Sequence, residues 1–237
     1  MTPISGQQKM TLYGTSACHL CELAEEILVG LVAAGAAPDF EKVDIADDDA
    51  LFERYGERIP VLRDTSVATE GVAGTIADSS AICGFLERKF PDNPVYPADP
   101  HCYGRALWIE EYADSHLAAT GGLGIFRAVF FNMMQGKDPD VETARETWAE
   151  KMPPILTYLD SALGDSEFYA GDAFSIADIT VTTCLMQIAL VAEMPLDAYP
   201  ALAAHQERMR ARASIAGPFS QADGFIGKSL PEKISLT

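Results

Sequence analysis

Basic residues are scarce in this chain of 237 residues: 17 Lys and Arg stand against 35 Asp and Glu, a formal charge of −18. So strong a negative balance argues against nucleic acid and anionic membranes as general partners, and the plain expectation is an acidic-surfaced cytoplasmic protein. The opening stretch MTPISGQQK has no apolar core and no cleavage site, so no secretory signal is visible. No apolar run approaches the ~20 residues that span a bilayer. The longest, 181–192, is broken by Thr182, Thr183, Cys184 and Gln187. Internal repeats and low-complexity tracts are absent. Cysteine is sparse as well: five residues, an odd number, in a chain long enough to build a core without staples. Free thiols in a reducing compartment are therefore expected.

Against these absences stands one dense stretch, Thr11-Leu-Tyr-Gly-Thr-Ser-Ala-Cys-His-Leu-Cys21. A short apolar run, residues 10–13, leads through Gly14-Thr15-Ser16 into two cysteines with two residues between them. Leu20, Ala24, Ile27, Leu28 and Leu31 then recur at helical spacing, with Glu22, Glu25 and Glu26 on the other face. The pattern reads strand, turn, helix, with Thr15 or Ser16 as the cap and a dithiol at the helix start. A thiol there has its thiolate stabilised by free amides and the helix dipole. At the ordinary pKa of about 8.5 only a few per cent is thiolate at neutral pH; lowered to about 6, roughly nine-tenths is. Cys18 is thus the candidate nucleophile. Cys21, one turn deeper, is the candidate resolving thiol. His19, as imidazolium, would lower the Cys18 pKa further; its plain alternative is an exposed first-turn residue. The dithiol has plain alternatives too: two inert half-buried cysteines, or half of a zinc site. There is no second C-x-x-C, and the four histidines show no ligand spacing with this one, so no metal is expected.

The remaining chain falls into two halves. Phe40–Ile45 alternates as a second strand, and a helix between it and the first predicts a parallel βαβ unit with a right-handed crossover. Asp47-Asp48-Asp49 opens a short helix. Residues 59–63 form a third strand with Pro60 at its mouth, where proline is tolerated. Residues 65–75 form a loop or hairpin with a short fourth strand near 72–76. Asp78-Ser79-Ser80 caps a helix through Phe90. Residues 91–100 hold four prolines in ten and read as the linker. Beyond it strand signals nearly vanish. Helices are expected over 103–117 and 125–134, interrupted at Gly121–Gly124. A helix over 141–163 is expected to break or bend at Pro153-Pro154. Ser175-Ile176-Ala177-Asp178 is a capping box opening a buried helix to Ala192. A basic amphipathic helix covers 202–212. Cys83, Cys102 and Cys184 read as packing residues.

The first 64 residues resemble the glutaredoxin-like branch of the thioredoxin fold, through the strand, Cys18-His19-Leu20-Cys21, the acidic-capped second helix and Ile59-Pro60-Val61-Leu62. Residues 59–100 look like the end of a glutathione S-transferase N-terminal domain: the cis-proline strand, then Asp78-Ser79-Ser80-Ala81-Ile82 as the glutathione-binding turn. Ser175–Ile179 is similar to the capping box of that family's all-helical C-terminal domain. The architecture implied is an α/β thioredoxin-like domain over 1–92, a Pro-rich linker over 93–100 and an all-α domain over 101–237.

That resemblance implies a glutathione site. The backbone of Ile59, freed by a cis Pro60, would pair with the cysteinyl backbone of the tripeptide. Ser79, with its own amide at a helix start, suits the γ-glutamyl carboxylate, and Asp78 suits its amino group. Arg63 and Arg58 are candidate counter-charges for the glycine carboxylate. Gly121–Gly124 and the Phe/Met-rich helix after it fall where family members build the co-substrate wall. Ser175 and Asp178 are structural caps. Many transferases carry one Tyr, Ser or Cys at the first helix, so two cysteines here pull the expectation toward thiol transfer or disulfide reduction. Conjugation of glutathione to small electrophiles is the alternative within enzymes, and a non-enzymatic glutathione-binding or regulatory protein is the alternative outside them. Family members are usually two-fold homodimers, so a homodimer is expected.

Overall fold

The computed structural model describes residues 10–15, 18–33, 35, 37–56, 59–65 and 72–237. The chain divides into two compact units, Met1–Pro94 and Val95–Thr237. The division falls inside the Pro-rich segment, but residues just after it belong structurally to the second unit. The Val95 carbonyl accepts from the Ile176 amide at 2.8 Å, and Asp99 caps the next helix.

In the first unit β1 (Met10–Gly14) leads to α1 (His19–Ala33), β2 (Phe40–Asp44), α2 (Asp49–Tyr55), β3 (Val61–Asp64), β4 (Thr75–Ala77) and α3 (Ser79–Lys89). The sheet order is β2-β1-β3-β4. β1 and β2 are parallel; β3 runs antiparallel to both β1 and β4. Alternation along the strands sorts the two faces. Met10, Leu12 and Leu62 pack with Ala24, Leu28 and Leu31 of α1 and Ile82 and Leu86 of α3. Tyr13 and Val61 turn the other way, against Ile45 and the α2 residues Leu51 and Tyr55. Leu12, Leu28, Leu62 and Leu86 are each at most 2% exposed. Burial of each such side chain contributes about 1.5–3 kcal/mol. α2 starts where three aspartates predict it: the Asp48 carboxylate accepts from the amides of Ala50 and Leu51. The fourth strand lies slightly later than expected, at Thr75–Ala77, and residues 66–71 of the preceding loop lie outside the described part.

The second unit is helical, and its first helix departs from expectation. Pro100–Met134 is continuous over 35 residues, with no interruption at the glycines. Its middle, Ala113–Phe131, takes the wider five-residue hydrogen-bond spacing. The glycines are there for proximity. A Cβ on Gly121 would lie 2.4 Å from Ile188 Cδ1, and one on Gly124 would lie 2.5 Å from Thr147 Oγ1. Absent side chains let this helix press against the Ile176–Ala189 helix and the Thr147 segment. By length and composition alone this helix could cross a membrane. Ala113, Leu117, Ile125 and Val129 on it are fully buried within the fold. Residues 141–163 are also one helical run. The widened turn Thr147–Lys151 precedes Pro153-Pro154, so the missing proline donors fall where the bonding register changes rather than breaking the helix. Ile176–Ala189 is the central helix, with twelve of its fourteen residues buried. Pro200–Arg210 and Ala213–Ile226 follow, and Ala192–Glu193 pairs in parallel with Ile234–Ser235.

Candidate functional site

The strand register of the first unit gathers the candidate residues. β1 runs toward Gly14 and delivers the chain to Cys18. β3 begins at Val61, opposite Tyr13, so Pro60 stands at that same end of the sheet. β4 finishes at Ala77, opposite Val61, so Asp78 and Ser79 emerge there too. Three chain segments distant in sequence thus converge on one sheet edge, and two of them open helices. Arg63 is not at that edge. It lies two residues inside β3, opposite Thr11 and Thr75, with Tyr13 within its electrostatic reach. Arg58, Ser16 and the His19 side chain lie outside the described residues.

Cys18 immediately precedes α1 and Cys21 lies in its first turn. They are joined as a disulfide with Cα atoms 5.2 Å apart. The Cys21 amide donates to the Cys18 sulfur at 3.2 Å, and the Cys18 amide donates to the Thr15 carbonyl at 3.2 Å. Cys18 is therefore the N-cap of its helix, with sulfur in place of the usual oxygen. A thiolate in that position accepts a charge-assisted bond and faces the positive end of the helix dipole. Cys18 is half-buried, whereas Cys21 is 1% exposed. Of the two sulfur-bearing residues, Cys18 is thus the more exposed and Cys21 the enclosed one.

A residue with no role in the sequence reading beyond a turn sets this spacing. Gly14 is the last residue of β1, and a Cβ there would lie 2.8 Å from Cys21 Cβ and 3.0 Å from its sulfur. Only glycine lets the strand end pass behind the dithiol. The signal is a glycine four residues ahead of a C-x-x-C, but its purpose is a contact, not a conformation.

The Ile59–Pro60 peptide bond is cis, and Pro60 is buried. Asp78 is the one non-glycine residue with positive φ among the described residues, at 78°. Its carboxylate accepts from the Ala81 amide at 3.2 Å, and its carbonyl accepts from the Ile82 amide at 3.0 Å. Backbone held in that region by a residue with a Cβ costs about 1–3 kcal/mol and concentrates at functional positions. Asp78 is exposed, while Ser79 beside it is 6% exposed at the first helical position. Near the same edge, the Tyr13 and Tyr55 rings stand 5.0 Å apart, and burial, then Tyr55, pushes the Tyr13 phenol up.

The structural caps assigned from sequence sit in the second unit. Asp178 is fully buried and accepts from the Ser175 amide at 2.9 Å and hydroxyl at 3.0 Å. It also accepts from the Tyr169 amide at 3.0 Å and meets His205 Nε2 at 2.9 Å. His205 was invisible as a partner, because 27 residues separate it from Asp178.

Residues 9–82 match the sequence model of the glutaredoxin-like domain, and residues 125–217 match that of the glutathione S-transferase C-terminal domain. One such match thus falls in each of the two units. Cys18, Cys21, Pro60, Asp78 and Ser79 all lie in the glutaredoxin-like match, and Ser175, Asp178 and His205 in the C-terminal match. Among curated relatives, the probable glutathione S-transferase parA of Nicotiana tabacum is 25% identical over 140 residues, 56% of this chain and 58% of that protein. Glutathione S-transferase U22 of Arabidopsis thaliana is 25% identical over 108 residues, 45% of this chain and 44% of that protein. The chain spans about half the length of the curated relatives it matches. Among solved structures, a glutathione S-transferase from Rhodospirillum rubrum superposes with a TM-score of 0.70 at 20% identity, covering 88% of this chain and 91% of that one. One from Methylobacterium radiotolerans, in complex with glutathione sulfonate, gives 0.63 at 24% identity over 89% and 94%. At such identities the likeness establishes the fold: a thioredoxin-like N-terminal domain and a helical C-terminal domain.

Proposed function

We propose that this protein is a glutathione-dependent thiol transferase and disulfide reductase. The observation that carries the reading is the Cys18 sulfur capping α1 beside a buried Cys21. In the reduced protein the Cys18 thiolate attacks one sulfur of a substrate disulfide. A mixed disulfide forms and the second substrate sulfur leaves as thiolate. Cys21 gives up its proton and attacks the Cys18 sulfur, releasing the first substrate thiol and leaving the Cys18–Cys21 disulfide; alternatively a glutathione thiolate attacks the Cys18 sulfur, releasing the same thiol and leaving a Cys18–glutathione disulfide that a second glutathione thiol cleaves to glutathione disulfide and free Cys18. On the first course two glutathione thiols then reduce the Cys18–Cys21 bond and depart as glutathione disulfide. Glutathione lies along the sheet edge, its backbone against Ile59, its γ-glutamyl end on Asp78 and Ser79. A relative of this fold binds glutathione sulfonate, which supports the ligand class. The buried free thiols Cys83 and Cys184 suit a reducing cytoplasm. A homodimer goes with the reading, supported by Tyr103, Leu107, Trp108 and Met134, all exposed on one helix; a monomer mass by light scattering removes it.

Conjugation of glutathione to an electrophile is the second reading, favoured by the transferase names of the curated relatives. There Cys18 positions the glutathione sulfur and Cys21 is dispensable. Alkylation of the reduced protein with iodoacetamide across pH, with mass mapping, tests the first reading. Cys18 is expected to react at pH 6 and Cys21 only after it. Cys18→Ser is expected to abolish disulfide reduction, and Cys21→Ser to leave glutathione-coupled turnover in part. Faster labelling of Cys21, or full activity in Cys18→Ser, overturns the assignment.

A further inference from the structure

The wall behind Cys21 limits how the two sulfurs can move. Gly14 is buried and closes the β1–β2 ladder, paired with Asp44. A Cβ on it would meet Cys21 Cβ at 2.8 Å and Cys21 Sγ at 3.0 Å, while no atom of Cys18 is among its neighbours within 4 Å. The contact is one-sided: it concerns the enclosed sulfur and not the more exposed one. Both distances fall well inside the optimum for non-bonded carbon pairs, about 3.5–4.0 Å. Gly14 is not among the residues with positive φ, so an alanine backbone is allowed there and only the contact excludes a methyl. Neither side has room to yield. Gly14 is held by the sheet, and Cys21 rides on α1, whose Ala24 and Leu28 pack with Met10 and Leu12 of β1.

The redox states respond differently to such a methyl. In the closed state the Cys18–Cys21 bond fixes the Cys21 side chain in place, with both its Cβ and its sulfur against Gly14. In the open states Cys21 is free to turn about its Cα–Cβ bond and carry the sulfur off the wall. Half-buried Cys18 is then free to hold glutathione. A methyl at position 14 therefore loads the closed state more than the open ones. A disulfide under such load is the more easily reduced.

We infer that Gly14 is a positioning residue for the dithiol, a role that rests on the thiol-transfer reading. Acting through Cys21, it sets the balance between the closed Cys18–Cys21 disulfide and the Cys18–glutathione disulfide. It thereby selects the two-cysteine route over the route that uses Cys18 alone. The step it governs is closure. The Cys21 thiol loses its proton and its sulfur bonds to the Cys18 sulfur. The bond from Cys18 to glutathione breaks, and glutathione leaves as a thiolate that takes up a proton. Glycine leaves the Cys21 sulfur the room this bond requires, and a methyl takes that room away.

Equilibration of the full chain with graded ratios of glutathione to glutathione disulfide tests it. Acid quench, alkylation and mass mapping then count three states: free thiols, Cys18–glutathione and Cys18–Cys21. The wild type is expected to hold its oxidised pool mainly as the closed disulfide. In Gly14→Ala the equilibrium constant for closure is expected to fall at least about tenfold, which is about 30 mV for this two-electron couple, and Cys18–glutathione is expected to accumulate. An unchanged distribution in the folded variant overturns the inference, and so does a shift toward the closed form. If oxidised Gly14→Ala does not fold, circular dichroism melting of its reduced form decides: folding regained on reduction supports the role, and equal failure in both forms overturns it. A wild type that forms neither disulfide at any ratio overturns the thiol-transfer reading as well, whereas a wild type that closes and a variant that closes equally overturn this inference alone.

Discussion

The two units start their key helices by the same physics and with opposite exposure. In the first, the Cys18 sulfur takes the Cys21 amide at a half-buried position, and Asp78 takes the Ala81 amide at the surface. In the second, Asp178 takes two amides, a hydroxyl and an imidazole with none of its surface exposed. Each arrangement satisfies donors that the helix cannot satisfy itself. A cap that a second molecule can reach is available for chemistry, and a cap that none can reach is available only for stability. Exposure, not the capping motif, separates a site from a rivet.

The strongest way to break that comparison is Asp178→Ala. The substitution strands the Ser175 and Tyr169 amides and His205 Nε2, all in the interior. Removing one partner from a buried network of this kind costs about 3–5 kcal/mol. Both tryptophans, Trp108 and Trp148, belong to the second unit, so their fluorescence reports its unfolding separately. The expected result is a large drop in that transition with Cys18 alkylation rates little changed. A loss under about 1 kcal/mol would show that water replaces Asp178 easily, and burial would then not mark the rivet.

Sequence periodicity made most of this fold legible, because period 2 and period 3.6 patterns are local. The two strands around α1, the α2 start at Asp48 and the capping box at Ser175 all follow from neighbours in the chain. Glycine was misread where its role is contact. Gly121 and Gly124 look like helix breakers, yet they lie inside a helix that needs their missing Cβ atoms for close approach. Gly14 reads as a turn and acts as clearance for Cys21. The convergence of Cys18, Pro60 and Asp78 at one sheet edge depends on strand order, which no local pattern carries; family resemblance supplied it. His205 against Asp178 has no sequence signal, since the contact depends on packing between elements far apart in sequence.

A smaller effect sharpens the comparison through pH. Burial drives the Cys184 thiol well above its ordinary range, and burial, then Asp178, drives the Tyr169 phenol up as well. Both groups keep their protons in the native state, while the unfolded chain releases them near pH 8.5 and 10. The unfolded state therefore binds fewer protons above those values. Stability is full below about pH 8.5 and falls as pH rises, by up to ~1.4 kcal/mol per pH unit for each group. Tryptophan-monitored melts from pH 7 to 10 are expected to decline first through Cys184, and Cys184→Ala is expected to flatten that first part. Equal alkaline slopes with and without Cys184 would remove the contrast.

The smallest expected effect on stability is the most informative about function, and it falls on Asp78. Its φ of 78° suits glycine better than aspartate, while its carboxylate caps α3. Asp78→Gly removes about 1–3 kcal/mol of backbone strain, against about 0.5–1 kcal/mol of added chain entropy and a few tenths for the lost cap, so stability is expected to hold or to rise by at most about 2 kcal/mol. Asp78→Ala keeps the strain and loses the cap, a loss of about 0.5–2 kcal/mol. If Asp78 were a cap alone, glutathione affinity would follow stability, with Asp78→Gly near wild type and Asp78→Ala weakened. If Asp78 holds the γ-glutamyl amino group, both variants lose one charge-assisted bond, and affinity falls about tenfold in each whatever the stability does. Titration of glutathione into the two variants, beside their melting curves, separates these outcomes. Wild-type affinity in Asp78→Gly would make this exposed cap as purely structural as the buried one, and reachability would no longer tell the two units apart.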